Sequence, residues 1–178
     1  MRLAHRTYVV MLAAALTGLW FAACDGSGGA GGAIDGAAAP RTAYTQVAAE
    51  AGAAPGAQIQ AYLDANGITG EQTTSTGLVY VIEDPGEGAH PTVTDQIAMH
   101  YRGYLVDGSI FDRTTGEPRT FPLNQLIPAW QEALPLIGRG GRIKILAPPS
   151  TAYGNRPPPR TGITPESVLV FDIELVDF

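Results

Sequence analysis

The chain has 178 residues and a formal net charge of −6, which fits one compact domain with appendages and excludes two full domains. Its 17 acidic residues against 11 lysines and arginines leave no basic surface for a phosphate backbone, so nucleic acid is excluded as the main partner. The 45% hydrophobic content with 22 glycines and 14 prolines favours a loop-rich domain with a real core. A single cysteine excludes an internal disulfide and a multi-cysteine metal cage, and we expect no metal or cofactor.

Residues 1–23 have the charged, apolar, small-residue order of a secretory signal peptide. The uncharged run from Tyr8 to Phe21 is shorter than the roughly 20 residues that a membrane-spanning helix needs. The sequence Phe-Ala-Ala-Cys that ends at Cys24 resembles a bacterial lipobox, in which the cysteine is acylated. We therefore expect a lipid-anchored protein on the periplasmic side of a bacterial envelope membrane. The alternative is an ordinary cleaved signal with a chance cysteine.

Two segments of different composition follow the signal. Residues 24–40 are rich in glycine and alanine and predict a flexible tether, because they have little apolar bulk to offset the entropy of ordering. Residues 41–72 predict a partly helical arm, with a short helix near 56–66 that ends at an Asn-Gly pair. One helix face carries Ile59, Tyr62 and Leu63. This stripe is too small to form a core alone, so the arm packs on the main domain or on a second copy; we expect a monomer.

Residues 73–178 predict a sheet with one helix. Alternating or β-branched patterns indicate strands at 78–82, 96–105, 109–111, around 143–145 and at 169–175. In the second strand the inward side chains are Ile97, Met99, Tyr101 and Leu105, and the polar side carries Ala98, His100, Arg102 and Tyr104. A helical stripe comprises Ile127, Trp130, Ala133 and Leu134. These elements predict an α+β fold, an antiparallel half-barrel wrapped around one short α-helix.

Few catalytic chemistries fit this domain. The sequence has no nucleophile elbow, phosphate loop or dinucleotide fingerprint, and its cysteine lies in the signal region. His100 has no carboxylate or serine at local spacing, which favours a structural or surface histidine. What remains is a set of aromatic side chains spread over several elements. Each alone is typical of a core, so their value as a pocket depends on the motifs that carry them.

Four motifs carry a family resemblance. The stretches 100–112, 121–130, 148–154 and 168–175 resemble, in order, the opening motif, helix start, tyrosine loop and last strand of FKBP-type peptidyl-prolyl isomerases. The lead-in at 62–66 and 74–80 is similar to the exported bacterial branch of that family. The resemblance implies the FKBP-like half-barrel and an isomerase domain over residues 73–178.

The resemblance also implies a site. It predicts an apolar cleft floored by Trp130 and walled by Tyr101, Phe111, Phe121, Leu126, Ile127, Ile163 and Phe171. Three polar groups would hold the ligand: the Tyr153 hydroxyl, the Ile127 backbone N–H and the Asp112 carboxylate. Residues 112–120 are shorter than the family pattern, and the arginine that usually pairs with the aspartate has no clear counterpart, although Arg113 or Arg119 could substitute.

The implied function is catalysis of X–Pro bond rotation in exported, proline-containing polypeptides, with macrolides such as tacrolimus as inhibitors. In the loop 155–160, two arginines flank three prolines. They either form a positive rim for acidic peptides or belong to a loop that is merely stiff. Two other classes are open: a binding or chaperone module without turnover, and a lipoprotein in which the fold is only a spacer.

Overall fold

The computed structural model describes residues 53–178. The predictions for the signal peptide, for Cys24 and for the tether at 24–40 lie outside the described residues, as does the first part of the arm. Among the described residues, no helix is long and apolar enough to cross a membrane.

Two α-helices and seven strands make up the described chain. The helices are α1 (Pro55–Asn66) and α2 (Pro128–Ala133). The strands are β1 (Gln72–Thr73), β2 (Val79–Asp84), β3 (Gln96–Leu105), β4 (Ile110–Arg113), β5 (Arg119–Pro122), β6 (Arg142–Ala147) and β7 (Leu169–Asp177). Short 3-10 turns cover Leu123–Gln125, Leu134–Leu136 and Pro149–Thr151.

The seven strands form one antiparallel sheet in the order β1-β2-β6-β7-β3-β4, with β5 paired to β3. The two end strands of this path are not paired, so the sheet is open and not closed into a barrel. The inward side chains of β3, β6 and β7 pack with α2 in the main core. The predicted α+β half-barrel around one short helix is confirmed.

Local sequence explains the ends of both helices. Pro55 and Pro128 occupy the first turns, where the missing backbone N–H costs no hydrogen bond. Helix α1 ends at Gly67, whose left-handed backbone (φ 60°) lets its N–H bond the carbonyl of Asp64. Helix α2 ends one residue before the Leu134–Leu136 turn, because Pro135 has no N–H with which to continue the helix.

Helix α1 packs on the sheet face opposite α2. Its buried residues Ile59, Tyr62 and Leu63 join a second core cluster that also contains Tyr104. The strand alternation assigns Tyr104 to the polar face, yet this side chain is buried, because α1 covers that face. The Tyr104 assignment is therefore corrected: β3 is apolar on both faces near its end. In the structure, the apolar stripe of α1 packs on the sheet of its own chain.

Candidate functional site

A single cleft gathers most of the predicted site residues. Its volume is about 200 Å³. Strands β3, β4, β5 and β7, the start of α2 and the loop after β6 each contribute side chains. The lining residues are Tyr101, Phe111, Asp112, Phe121, Leu126, Ile127, Trp130, Tyr153 and Phe171.

The floor of the cleft is an edge-to-face arrangement of aromatic rings. The Trp130 ring lies 5.0 Å from that of Tyr101 and 5.1 Å from that of Phe171, at steep interplanar angles of 73° and 84°. Phe111 meets Phe171 in the same way, with centroids 5.6 Å apart. Such geometry adds about 0.5–1.5 kcal/mol per pair beyond burial. The rings therefore form one continuous aromatic surface.

Gly103 makes this packing possible. A Cβ at Gly103 would lie 2.7 Å from the Phe111 ring and 2.9 Å from the Phe171 ring. Both distances are well below van der Waals contact. Because Gly103 has no side chain, the rings of Phe111 and Phe171 can pack against each other over β3.

The polar wall of the cleft is a three-residue network. The Tyr101 hydroxyl donates to Asp112 Oδ2 at 2.6 Å, and Arg119 Nη1 donates to that hydroxyl at 2.8 Å and to Asp112 Oδ1 at 3.2 Å. The backbone N–H of Arg113 also donates to Oδ1, at 2.8 Å. Burial, together with the Asp112 carboxylate, raises the pKa of Tyr101 to about 12. The phenol therefore stays protonated and keeps Asp112 in place.

Arg119 is the arginine that sequence reasoning left undecided. Pairing of β5 with β3 sets Arg119 opposite Met99, from where its side chain reaches Asp112. The side chain of Arg113 has no ion pair among the described residues, and Arg113 lies opposite Arg102 on the outer face of the sheet. Residues 112–120 thus contain an arginine–aspartate ion pair at the cleft. Only the strand register, which sequence spacing does not fix, could have distinguished the two arginines.

The two donors that the family resemblance assigns to the ligand have no hydrogen-bond partner in the described part of the chain. One is the hydroxyl of Tyr153, whose pKa is raised by burial and by the nearby Asp112. The other is the backbone N–H of Ile127, which precedes α2 and makes no bond to backbone or side chain. Both residues line the cleft, so both donors are available to a ligand.

Ile163 and His100 are not among the residues that line the cleft. Ile163, which the resemblance implies for the cleft wall, is buried in the core cluster that also contains Trp130 and Phe171, and it is not among the cleft-lining residues. The His100 ring Nδ1 is 3.5 Å from Thr114 Oγ1, and His100 does not line the cleft. Within residues 53–178, no group of three or more histidines, cysteines or carboxylates is arranged to hold a metal ion.

Comparison with known proteins identifies the family and the fold. Residues 87–176, half of the chain, match the model of a family described as FKBP-type peptidyl-prolyl cis-trans isomerase. The chain belongs to this family. Strand β2 precedes the matched residues and pairs with β6 in the same sheet.

Two curated relatives carry the same family description. FKBP-type peptidyl-prolyl cis-trans isomerase FkpA of Escherichia coli strain K12 is 47% identical over 110 residues, which are 61% of this chain and 40% of that protein. The FKBP-type 22 kDa peptidyl-prolyl cis-trans isomerase of the same strain is 41% identical over 119 residues, 65% of this chain and 57% of that protein. The chain thus spans only part of the length of these curated relatives.

Two solved structures are similar to the FKBP domain. The crystal structure of FkpA from Escherichia coli has a TM-score of 0.62 and 39% identity, over 75% of this chain and 62% of that chain. A peptidyl-prolyl cis-trans isomerase from Pseudomonas syringae has a TM-score of 0.59 and 29% identity, over 80% of this chain and 98% of that chain. The described fold is that of an FKBP-type isomerase domain.

Proposed function

We propose that this chain catalyses cis–trans isomerisation of X–Pro bonds and serves as a folding catalyst for exported proteins. One observation carries the proposal: an aromatic cleft whose lining residues include two unpartnered donors, the Tyr153 hydroxyl and the Ile127 N–H. The aromatic floor suits the apolar proline ring, and the two donors suit the backbone carbonyls beside it. Substrates are therefore proline-containing polypeptides.

The cleft accelerates rotation without making or breaking a bond. The barrier to X–Pro rotation is roughly 20 kcal/mol, because amide resonance keeps the bond planar, and uncatalysed exchange takes tens of seconds. The planar amide is more dipolar than the twisted transition state, so water stabilises it more. The rings around Trp130 replace water with apolar surface and remove that advantage. A shape that fits the twisted imide better than the planar one adds to the effect.

Each polar group has an orienting role. The Tyr153 hydroxyl and the Ile127 N–H donate to substrate carbonyls and fix the peptide against Trp130. Asp112 is an orienting acceptor and not a base, because its oxygens already accept hydrogen bonds from Tyr101 and Arg119. Rotation needs no proton transfer, so the site requires no general acid or base.

Client choice lies in the loop after Tyr153. Arg156 and Arg160 are exposed and have no ion pair in the described structure, whereas five other basic side chains are paired. The N–H of Arg156 bonds the Tyr153 carbonyl at 3.0 Å, so this arginine is one turn from the cleft. Arg160 has a left-handed backbone conformation (φ 66°). Next to it, the Thr161 hydroxyl donates a 2.7 Å hydrogen bond to the Pro158 carbonyl. On an otherwise acidic protein, these charges favour clients with acidic residues near proline.

The proposed place of action is the periplasmic side of a bacterial envelope membrane. Residues 1–23 would be removed as a lipoprotein-type signal peptide, and Cys24 would carry the lipid. Residues 24–40 would tether an arm at 41–72 and the isomerase domain at 73–178. A monomer suffices for this arrangement, because α1 covers its own apolar stripe within the chain.

The deciding experiment measures cis-to-trans kinetics of a short proline peptide with and without tacrolimus. We expect catalysis that tacrolimus inhibits. Tacrolimus binding without catalysis would instead assign a binding module or chaperone. Loss of both would show that the fold is only a spacer. The Asp112–Arg119 ion pair favours the first outcome, because the shortened segment keeps the polar wall.

A further inference from the structure

Gln131 makes an unusual contact for a helix residue. It lies in α2 one position after Trp130, is half-buried and does not line the cleft. Its amide Nε2 donates to the carbonyl of Leu126 at 2.7 Å and more weakly to the carbonyl of Asn124 at 3.4 Å. The side chain therefore folds back over the segment that leads into α2.

The bond to Leu126 fixes more than one carbonyl. A trans peptide unit is planar, and its C=O and N–H point in opposite directions. The unit that contains the Leu126 carbonyl also contains the Ile127 N–H, and the described residues have no cis peptide bonds. When Gln131 holds the carbonyl on its own side, the N–H must point the other way. That direction leads away from α2 toward the cleft that Leu126 and Ile127 line.

No other hydrogen bond within residues 53–178 orients this peptide unit. The Gln131 amide is the sole donor to the Leu126 carbonyl, and the Ile127 N–H has no partner. Leu126 (φ −88°, ψ 171°) and Ile127 (φ −60°, ψ 150°) both have extended backbone, outside any helix or strand. The Gln131 bond is therefore the one hydrogen bond on this peptide unit itself that fixes the direction of its N–H.

The geometry points to Gln131 as a positioning residue for the reaction: it presets the Ile127 N–H toward the substrate carbonyl. The inference rests on the proposed function, in which that N–H orients the peptide. Gln131 touches neither substrate nor reacting atoms. It acts by removing the entropy cost of aligning the donor, which is how a preorganised hydrogen bond contributes to catalysis.

Two substitutions test the bond. Gln131→Met keeps the length of the side chain but has no donor, and Gln131→Glu keeps the shape but at neutral pH can only accept. We expect a loss in kcat/KM of about 2- to 10-fold for Gln131→Met, the range of one neutral hydrogen bond. The loss should be larger for Gln131→Glu, whose carboxylate would face carbonyl oxygens. Gln60→Met is the matched control, because Gln60 donates only to Asp64 within α1.

A second measurement follows the N–H itself. The residual dipolar coupling of the Ile127 N–H in the free protein reports the direction of that bond. We expect it to change in Gln131→Met while circular dichroism and the couplings of β3 and β7 stay constant. An unchanged Ile127 coupling, or an unchanged kcat/KM in both variants of an active protein, would overturn the inference. If the wild-type protein shows no isomerase activity, the proposed function fails, and the coupling still decides whether Gln131 orients the peptide.

Discussion

Replacing Trp130 tests both the floor of the cleft and its energetics. The side chain is only 5% exposed and meets Tyr101 and Phe171 edge to face. Trp130→Ala leaves a large cavity and should cost about 3–5 kcal/mol of unfolding free energy. Trp130→Phe should cost far less, because the buried indole Nε1 has no hydrogen-bond partner and its removal recovers about 1–3 kcal/mol. We expect Trp130→Phe to lie within about 1.5 kcal/mol of the wild-type protein.

The two variants should also differ in turnover. Trp130→Phe retains an aromatic floor and should keep most of kcat/KM, whereas Trp130→Ala should lose about tenfold or more because water enters the cleft. Stability is measured by urea unfolding followed by circular dichroism, since the substitution changes the fluorophore. Equal destabilisation by the two substitutions would refute the argument from the unpaired indole. Wild-type turnover in Trp130→Ala would refute the cleft as the site of isomerisation.

Four further predictions concern charge, anchoring and pH. Substituting both Arg156→Glu and Arg160→Glu should lower kcat/KM about 3-fold or more for prolyl peptides with acidic flanks and leave neutral peptides unaffected, which a paired peptide assay at low salt would show. Cys24→Ser should move the protein from the detergent-extracted membrane fraction to the soluble periplasmic fraction; unchanged fractionation would exclude a lipid at this cysteine. Catalysis should be flat from about pH 6 to 8. The pKa of Tyr101 is raised from 10 to about 12 in the folded protein, so the protonated phenol contributes stability below pH 10. This contribution should be lost as the pH rises from 10 toward 12, which thermal unfolding at a series of pH values would show.

Regular alternation made the inner face of the sheet predictable. The pattern in β7 places Leu169, Phe171 and Ile173 inside, and the structure buries all three. Motif resemblance predicted nine of the cleft-lining side chains, because a family motif encodes tertiary positions that local patterns lack. Ile163, the other predicted wall residue, is buried in the same core cluster as Trp130 and Phe171 but is not among the residues that line the cleft.

The contacts that the sequence leaves undecided or does not predict depend on tertiary structure. The role of Arg119 follows from pairing of β5 with β3, and β5 is too short and too polar to show a strand pattern in the sequence. The contact of Gln131 depends on the extended backbone at Leu126, which no residue pattern specifies. Tyr104 has the spacing of a solvent-facing residue, and only the docking of α1 buries it. Local periodicity reports which face a residue occupies, but not what covers that face.

The buried hydroxyl pair under α1 offers a test of that docking. Tyr62 and Tyr104 lie with their hydroxyl oxygens 3.0 Å apart, and burial raises the pKa of both phenols. The Tyr104 hydroxyl also lies 3.4 Å from Asp172 and 3.4 Å from Lys144, whereas the Tyr62 hydroxyl has no second partner within the described chain. The free energy of unfolding should therefore fall by different amounts when one or the other hydroxyl is removed.

Tyr62→Phe leaves the Tyr104 hydroxyl bonded and should cost about 0.5–1.5 kcal/mol, but Tyr104→Phe strands a buried hydroxyl on Tyr62 and should cost about 1–3 kcal/mol. The double variant removes both groups, so it should lose less than the sum of the single losses. Urea unfolding of all four proteins measures this coupling, and kcat/KM should stay constant because the pair lies on the sheet face opposite the cleft. Strictly additive losses would mean that the two hydroxyls do not bond each other and that α1 docks through its apolar stripe alone.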